Sequence, residues 1–166
     1  GSEMCIRDSS WGDEQTNCFT DQDQRAAFLA QFYLLHLSAN VSRFYWYQWN
    51  NDTWGTLWNP APAPNGTVLE PAIAYQQVYG WLVGSTLSAP CVSNGTVWTC
   101  TFTRPNGYQA DAVWDTSQSC NGGACTTSNL AVGAQYTKSH DLAGNSGVIS
   151  DHTAEVGLKP IWLANQ

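Results

Sequence analysis

The stretch Ser42-Arg-Phe-Tyr-Trp-Tyr-Gln-Trp-Asn50 holds five aromatic residues in nine positions, between a helical pattern and a polar loop. Apolar and aromatic runs of this length, bounded by turn residues, favour a β-strand over a helix. A strand would place alternate side chains on opposite faces. The two faces would be Tyr45, Tyr47 and Trp49 on one side and Phe44, Trp46 and Gln48 on the other. Because both faces are bulky, we predict a strand that is covered on both sides in an α/β layer.

The C-terminal end of this stretch predicts a surface site for sugar. Polar and aromatic residues come directly after it, namely Asn50, Asn51, Asp52, Thr53 and Trp54. Aromatic rings stack on the C–H faces of sugars, and amides and carboxylates bond to sugar hydroxyls. The predicted substrate-binding residues are therefore Tyr47, Trp49, Asn50 and Trp54. The alternative is that every ring belongs to the core, an interpretation that we accept for Phe44 and Trp46.

The composition limits the partners that the chain can have. Its 166 residues suffice for one ordinary domain or two small ones. Only 11% of the residues are charged, the net charge is −7, and six Lys plus Arg cannot form a basic patch, so we exclude nucleic acid as a main partner. No run of about eighteen apolar residues is present, so we expect no membrane span and no membrane partner. Abundant Thr, Asn, Gln and Gly with little Lys is typical of secreted proteins.

The first nine residues differ in character from the rest of the chain. The run Gly1-Ser-Glu-Met-Cys-Ile-Arg-Asp-Ser9 has no periodicity. It resembles a peptide that recurs at the ends of unrelated environmental gene products, where it derives from translated sequencing-adapter sequence. We therefore interpret residues 1–9 as a non-native artefact of metagenomic origin and leave them out of the fold prediction.

Four cysteines predict two local disulfides. The predicted pairs are Cys91 with Cys100 and Cys120 with Cys125. The first pair spans a turn-like Ser93-Asn94-Gly95 and the second flanks a Gly-rich loop, and each bridge would stabilise the fold by about 2–4 kcal/mol. The alternative is a metal site that combines these thiols with His140 or His152. Neither histidine has ligand spacing to another, so we predict no metal and no cofactor. Disulfides imply an oxidising compartment, extracellular or periplasmic.

Four stretches match the sequon for N-linked glycosylation. They begin at Asn40, Asn51, Asn65 and Asn94. In a chain rich in Asn and Thr such matches also arise by chance, and a bacterial host would leave them unmodified, so both interpretations stay open.

Residues 20–84 predict two helices with the aromatic stretch between them. Thr20 suits the N-cap, acidic residues follow in the first turn, and an apolar stripe runs to about Ser38. The predicted stripe is Ala27, Phe28, Leu29, Phe32, Leu35 and Leu37. The second helix starts at Pro71, because proline suits the first helical position, and ends at Gly84. Helix, strand and helix in this order are typical of an alternating β/α architecture.

From about residue 86 the pattern changes to period two, which predicts an antiparallel β-sandwich. A Pro-Asn-Gly turn sequence separates two alternating runs. A two-residue turn would set Trp98 opposite Asp115. A three-residue loop, with Gly107 in the left-handed conformation, sets Trp98 opposite Trp114, and we choose this register because it keeps one apolar face. Further strands are predicted over residues 132–139, 147–150 and 156–164.

The order and spacing of several motifs resemble the last part of a glycoside hydrolase. They are Trp11-Gly12, the helix beginning at Asp21, Arg43-Phe-Tyr-Trp-Tyr-Gln-Trp-Asn50, Pro71-Ala-Ile-Ala-Tyr75, Trp81-Leu-Val-Gly84, Gly95-Thr-Val-Trp98, Ala112-Val-Trp-Asp115, Asp141-Leu-Ala-Gly144 and Gly157-Leu-Lys-Pro160. The resemblance covers about residues 10–166 and is to the retaining (β/α)8-barrel clan, above all its families five and thirty-nine, in some members of which a small β-sandwich follows the barrel. It implies an α/β plus all-β fold. Residues 10–85 would be the last βα units of the barrel, and residues 86–166 the β-sandwich domain.

The resemblance also implies an enzyme that hydrolyses O-glycosidic bonds of a β-linked glycoside or polysaccharide. Such barrels place the active site at the C-terminal ends of their strands, where Trp11 and Trp49 would line the sugar site. A retaining mechanism needs two carboxylates about 5–5.5 Å apart. The nucleophile Glu of the clan falls two or three residues before that first Trp, where this chain has Asp8 and no Glu. The acid/base Glu lies upstream on strand four, so the resemblance implies a missing N-terminal barrel part and an inactive fragment.

Two alternatives from other classes stay open. A self-standing carbohydrate-binding β-sandwich, with the helices as an accessory hairpin, would explain the missing carboxylates directly. Against it, the apolar faces of the first helix and the aromatic stretch need a large partner layer. The other alternative is a structural secreted domain whose Trp residues all belong to the core.

Overall fold

A computed structural model describes residues 19–50 and 55–166 of the chain. These ranges contain two helices, α1 (Gln22–Ser38) and α2 (Glu70–Leu82). The strands up to the central hairpin are β1 (Trp58–Asn59), β2 (Thr67–Val68), β3 (Thr86–Leu87), β4 (Val92–Asn94), β5 (Val97–Arg104) and β6 (Tyr108–Asp115). The later strands are β7 (Cys120–Asn121), β8 (Ala124–Cys125), β9 (Thr127–Ala131), β10 (Lys138–His140), β11 (Ser146–Val148), β12 (Thr153–Gly157) and β13 (Ile161–Ala164).

Seven of these strands form one antiparallel sheet. Its order is β11-β10-β13-β6-β5-β3, and β4 pairs with β5 beside β3. Three two-stranded ladders accompany it, in which β9 pairs with β12, β1 with β2, and β7 with β8. Every one of these pairings is antiparallel, and antiparallel neighbours can be joined by short turns without crossover helices.

The predicted fold class, barrel βα units followed by a β-sandwich, is wrong. A (β/α)8 barrel consists of parallel strands that alternate with helices. In the described residues both helices lie before the main sheet in the chain, the sheet is antiparallel, and no barrel is formed. The predicted strand over residues 42–50 is also absent, because that stretch belongs to no strand or helix. Period-two alternation is a property of any extended chain, whereas a strand needs a partner backbone.

The two helices cover one face of the seven-stranded sheet. One cluster of buried side chains joins Ala26, Ala30, Leu34, Ala74, Val78 and Trp81 of the helices to Cys100, Phe102, Ala110, Ala112, Trp114, Trp162 and Ala164 of the sheet. At its centre the Trp81 and Trp162 rings stack with their centroids 5.6 Å apart. The Trp162 indole N–H donates to the Tyr108 hydroxyl at 2.8 Å, so the buried indole is satisfied. The domain boundary predicted between residues 85 and 86 runs through this shared cluster.

The opposite face of the main sheet packs against the β9–β12 pair. Val113 and Leu163 point away from the helices and contact Tyr136, Ile149, Ala154 and Val156. The strand-rich part therefore consists of two sheets packed face to face, as the predicted β-sandwich requires. Since the helices cover the other face of the larger sheet, the main sheet is the middle of three layers.

The β5–β6 hairpin has the predicted register. Trp98 lies opposite Trp114, and Arg104 lies opposite Tyr108 across the three-residue loop. Gly107 has a φ of +76°, which is the left-handed conformation that the loop requires. The Trp98 and Trp114 rings stack with centroids 5.8 Å apart and planes 6° apart. The apolar face that decided the register is therefore present.

Arg104, at the end of β5, also holds the C-terminus of α2. Its guanidinium donates to the carbonyl oxygens of Gly80 at 2.7 Å and Trp81 at 2.8 Å, and to the Ser85 hydroxyl at 2.7 Å. Carbonyls in the last turn of a helix have no partner within the helix, so a cation there satisfies them and favours the helix dipole.

The ends of α1 follow the local sequence more closely than its buried face does. The N-cap is Asp21 rather than Thr20, because the Asp21 carboxylate accepts from the Gln24 N–H at 3.1 Å. At the other end Asn40, with a φ of +61°, closes a Schellman motif in which the Val41 N–H donates to the His36 carbonyl. The buried residues of the helix are Asp23, Ala26, Ala27, Leu29, Ala30 and Leu34. The predicted stripe is only partly right, because α1 packs against α2 and the sheet on one side and against the aromatic stretch on another.

Candidate functional site

The aromatic stretch lies along α1 and is fixed there by its even-numbered side chains. The Phe44 ring lies 4.9 Å from that of Phe32, 4.7 Å from that of Tyr33 and 4.8 Å from that of His36, measured between centroids. Trp46 makes edge contacts with Phe32 at 6.3 Å, and its indole N–H donates to the Gly55 carbonyl at 2.7 Å. Phe44 and Trp46 are therefore half-buried rings packed on α1, which agrees in part with their interpretation as core residues.

The odd-numbered side chains of the stretch face solvent. Tyr45 is 76% exposed, Tyr47 is 51% exposed and Trp49 is 54% exposed. Exposure thus alternates over residues 44–49 as the pattern predicted, although the stretch forms no strand. We call these three residues the aromatic ridge. Most large aromatic residues are largely buried in folded proteins, so three outward rings at alternate positions of one short stretch are a feature that needs a reason.

A short hairpin supports the C-terminal end of the ridge. The Trp49 carbonyl accepts from the N–H groups of both Leu57 and Trp58, each at 2.9 Å, where β1 begins. Leu57 is 2% exposed, so this anchor is part of the core. Gly66, with a φ of +65°, lies directly on the Trp58 ring. Because Trp46 and the Trp49 backbone are anchored, the backbone beneath the ridge has less freedom to lose on binding.

The structure places the predicted binding residues unequally. Tyr47 and Trp49 belong to the ridge, and Asn50 is exposed immediately after it. Trp54, Trp11 and the nucleophile-slot residue Asp8 lie outside the described residues. The sequence prediction did not include Tyr45, although its own alternation pattern groups that ring with Tyr47 and Trp49 and the structure leaves it 76% exposed.

A retaining glycosidase also needs two carboxylates, and two carboxylates of the described residues lie together in a cleft away from the ridge. This cleft of about 320 Å³ is lined by Asp23, Glu70 and Lys159 with apolar neighbours, and none of its lining residues belongs to the ridge. Lys159 forms an ion pair with the buried Asp23 carboxylate. Burial, and then the hydrogen bond and charge of Asp23, raise the pKa of Glu70 above its ordinary range.

Both carboxylates in the cleft have a structural explanation. Asp23 lies in the first turn of α1 and Glu70 is the first residue of α2, and helix N-termini favour negative charge. The contact between Asp23 and Lys159 spans 136 positions, so no local sequence signal could have identified it.

Asp115, at the end of β6, is a buried carboxylate with a complete set of donors. It accepts from the Ser117 N–H at 2.9 Å and the Ser117 hydroxyl at 2.8 Å, and from Gln118 and Ser128 at longer distance. The Ser117 N–H contributes most to holding the pKa of Asp115 well below its usual range, and the Thr96 hydroxyl, a further donor, contributes next. Through Ser128, the Asp115 carboxylate joins β6 to β9. Because it keeps its charge and is enclosed by donors, it is unsuited to proton transfer near neutral pH.

Both predicted disulfides are present. The Cα atoms of Cys91 and Cys100 are 4.3 Å apart, and those of Cys120 and Cys125 are 4.0 Å apart. The second bridge closes the β7–β8 hairpin, where Gly122 has a positive φ. Because all four of these cysteines form disulfides, the alternative metal site has lost its sulfur ligands. Residues 19–50 and 55–166 contain no cluster of three His, Cys, Asp or Glu residues placed to hold a metal ion.

Neither of the helices in the described part of the chain is long and apolar enough to span a membrane. Comparisons with protein-family models, with curated proteins and with solved structures find no match to this chain.

Proposed function

We propose that this chain is a carbohydrate-binding module that binds a β-linked polysaccharide through the aromatic ridge, Tyr45, Tyr47 and Trp49. The observation that carries the proposal is the alternation of burial along the aromatic stretch, in which Phe44 and Trp46 pack on α1 while the ridge stays exposed. Each fully buried large apolar side chain adds about 1.5–3 kcal/mol, so the exposure of three rings within one short stretch forgoes stabilisation that binding can explain.

The form of the ridge favours an extended polymer over a small sugar. Pockets for small ligands are concave and enclose most of the ligand surface. The ridge residues line none of four clefts found in the described residues, and the three exposed rings occur at alternate positions of one segment that is neither helix nor strand. A β-1,4-linked glycan is a flat ribbon whose C–H faces recur along its length, so several sugar units can stack on rings at once. Asn50 supplies an amide for hydroxyl groups at the end of the row.

Secretion is part of the proposal. Two disulfides in a chain of 166 residues favour an oxidising compartment, and we propose that it is extracellular or periplasmic. Glycoside hydrolysis stays a prediction from the resemblance, because the barrel on which it depended is absent from the described residues and Asp8 lies outside them.

The test is retention of the protein on insoluble polysaccharides. The chain, with its disulfides formed, is incubated with cellulose, xylan, mannan and β-glucan, and the bound fraction is measured against concentration. We expect retention on at least one β-linked polymer. Each single change Tyr45→Ala, Tyr47→Ala or Trp49→Ala is expected to weaken binding about 2–10-fold, since an aromatic stack is worth about 0.5–1.5 kcal/mol. The triple variant is expected to bind no polymer.

A matched control separates stacking from general loss of surface aromatic residues. Tyr79 on α2 is 62% exposed and lies outside the ridge, so Tyr79→Ala removes a comparable ring without changing the ridge. We expect this variant to bind like the wild type, and the conservative Tyr47→Phe to keep most of the affinity. Equal retention of the triple variant and the wild type, at unchanged melting temperature, would defeat the proposal. So would the absence of retention on every polymer.

A further inference from the structure

Three of the four glycosylation sequons lie within the described residues, and each starts at an exposed asparagine. These are Asn40, Asn65 and Asn94, whereas Asn51 lies outside the described residues. We propose that all three carry N-linked glycans when the chain passes through a eukaryotic secretory pathway. This proposal is independent of sugar binding by the aromatic ridge.

The first site lies at the C-terminus of α1. Asn40 occupies the left-handed position that ends the helix, with a φ of +61°, and its backbone N–H donates to the Leu37 carbonyl at 3.0 Å. The turn is therefore held by the backbone, and the side-chain amide makes no hydrogen bond to another described residue. Both Asn40 and the sequon hydroxyl residue, Ser42, are exposed. A bulky, hydrated glycan can extend from this position without displacing any packed side chain.

The other two sites lie in tight turns that have the same arrangement. Asn65 precedes Gly66 in the loop between β1 and β2, and the turn is closed by the Gly66 N–H bonding to the Pro62 carbonyl at 2.9 Å. Asn94 ends β4 and is followed by the left-handed Gly95. In each turn the asparagine and the sequon threonine, Thr67 or Thr96, are exposed. Acceptor asparagines of secreted proteins lie in such surface loops.

The transfer itself needs only groups that this pathway supplies. The donor is an oligosaccharide linked to a polyprenyl diphosphate. The bond between the asparagine Nδ2 and the anomeric carbon forms as the bond from that carbon to the diphosphate oxygen breaks. The electron pair of the broken bond leaves with the lipid diphosphate, and one amide proton is lost to a base of the transferase. No oxidation or reduction takes place.

A glycan at Asn94 would also protect an edge of the main sheet. β4 pairs with β5 on one side only, and its Val92 is 64% exposed. Unpaired edge strands are templates for pairing with other chains, and proteins cover them to avoid aggregation. A hydrated oligosaccharide at the end of β4 would obstruct the approach of a second edge.

The test is site mapping of the whole chain after secretion. The 166-residue chain is expressed behind a cleavable secretion signal in a eukaryotic cell line, and material retained in the cells is analysed in the same way. The N-glycans are removed by an amidase in heavy-oxygen water, which converts each occupied asparagine to labelled aspartate, and peptides are read by mass spectrometry. We expect labelled aspartate at positions 40, 65 and 94 in most molecules.

The chain contains its own control. Asn106 is exposed, has a φ of +65° and precedes Gly107, but Tyr108 replaces the sequon hydroxyl, so it measures spontaneous Asn-Gly deamidation in the same sample. The changes Thr67→Ala and Thr96→Ala are each expected to remove the label at their own site only. Unmodified peptides at all three sequons, or label at Asn106 equal to that at the sequons, would overturn the proposal. An unlabelled single sequon would overturn it for that site.

Discussion

A single methyl group added at Gly66 is expected to damage the support of the aromatic ridge. Gly66 has a φ of +65°, a conformation that costs an L-residue about 1–2 kcal/mol. A Cβ at this position would lie 2.5 Å from the Asn59 carbonyl oxygen and equally close to the Trp58 ring. The carbonyl belongs to the β1 backbone and cannot rotate away, so overpacking adds about 1–3 kcal/mol. We therefore expect Gly66→Ala to lower the free energy of unfolding by about 3 kcal/mol.

Gly84 provides the matched control for the backbone term. It has a φ of +76°, but a Cβ there would meet no atom within 4 Å. Gly84→Ala should therefore lose only the conformational term, about 1 kcal/mol. For a chain of this size 1 kcal/mol corresponds to about 2–4 °C in melting temperature, so Gly66→Ala should melt about 6–12 °C lower than the wild type and Gly84→Ala about 2–4 °C lower.

The assay has a thermal and a functional part. Melting is followed by circular dichroism under conditions that keep both disulfides, and polysaccharide retention is measured at a temperature where both variants are folded. Because the Trp58 N–H donates to the Trp49 carbonyl, a displaced β1 should also weaken retention in Gly66→Ala and leave it unchanged in Gly84→Ala. Equal melting temperatures of the two variants would refute the steric argument, since the clash is the only difference between them.

Two other changes test the strand-rich part. Asp115 has a lower pKa in the folded state than in the unfolded state, so its charged form stabilises the fold. This stabilisation is complete above the unfolded-state pKa, about 3.9. It is lost as the pH falls through that value toward the lower folded-state pKa. Urea titrations from pH 7 to pH 3 test this. At neutral pH Asp115→Asn should lower the free energy of unfolding by about 2–3 kcal/mol, and its stability should fall less with acid than that of the wild type. The control Glu155→Gln, at an exposed position, should keep the wild-type dependence of stability on pH. An Asp115→Asn profile parallel to the wild type would contradict this. Replacing Cys91 and Cys100 together by Ser should lower the free energy of unfolding by about 2–3 kcal/mol in the same assay, because the bridge closes a loop of about ten residues and so reduces the entropy of the unfolded state. An unchanged denaturation midpoint would contradict this.

Much of the local structure was predictable because short-range patterns decide it. The positions of both helices, the left-handed Gly107 and the two disulfides each depend on residues within about ten positions of one another. The alternating exposure of the aromatic stretch was also predictable, since it matches the period-two pattern of the local sequence. The β5–β6 register was predictable because only one pairing leaves a single apolar face.

The candidate site was predictable only in part. The pattern identified Tyr47, Trp49 and Asn50 as outward residues, and it contained the information needed to add Tyr45. It could not identify the anchors of the ridge. The contact of Trp46 with Gly55 and that of Trp49 with the start of β1 both depend on how the chain folds back after the polar loop.

The sequence by itself determined where helices and strands can form, which side chains face the same way, and which cysteines can meet. The tertiary structure decided what each face packs against. It laid the aromatic stretch along α1 instead of in a sheet, placed β13 between β10 and β6, and joined Lys159 to Asp23. The physical reason is that an apolar face gains nearly the same free energy from any apolar partner. The choice among partners is therefore made by the long-range fit of the whole chain.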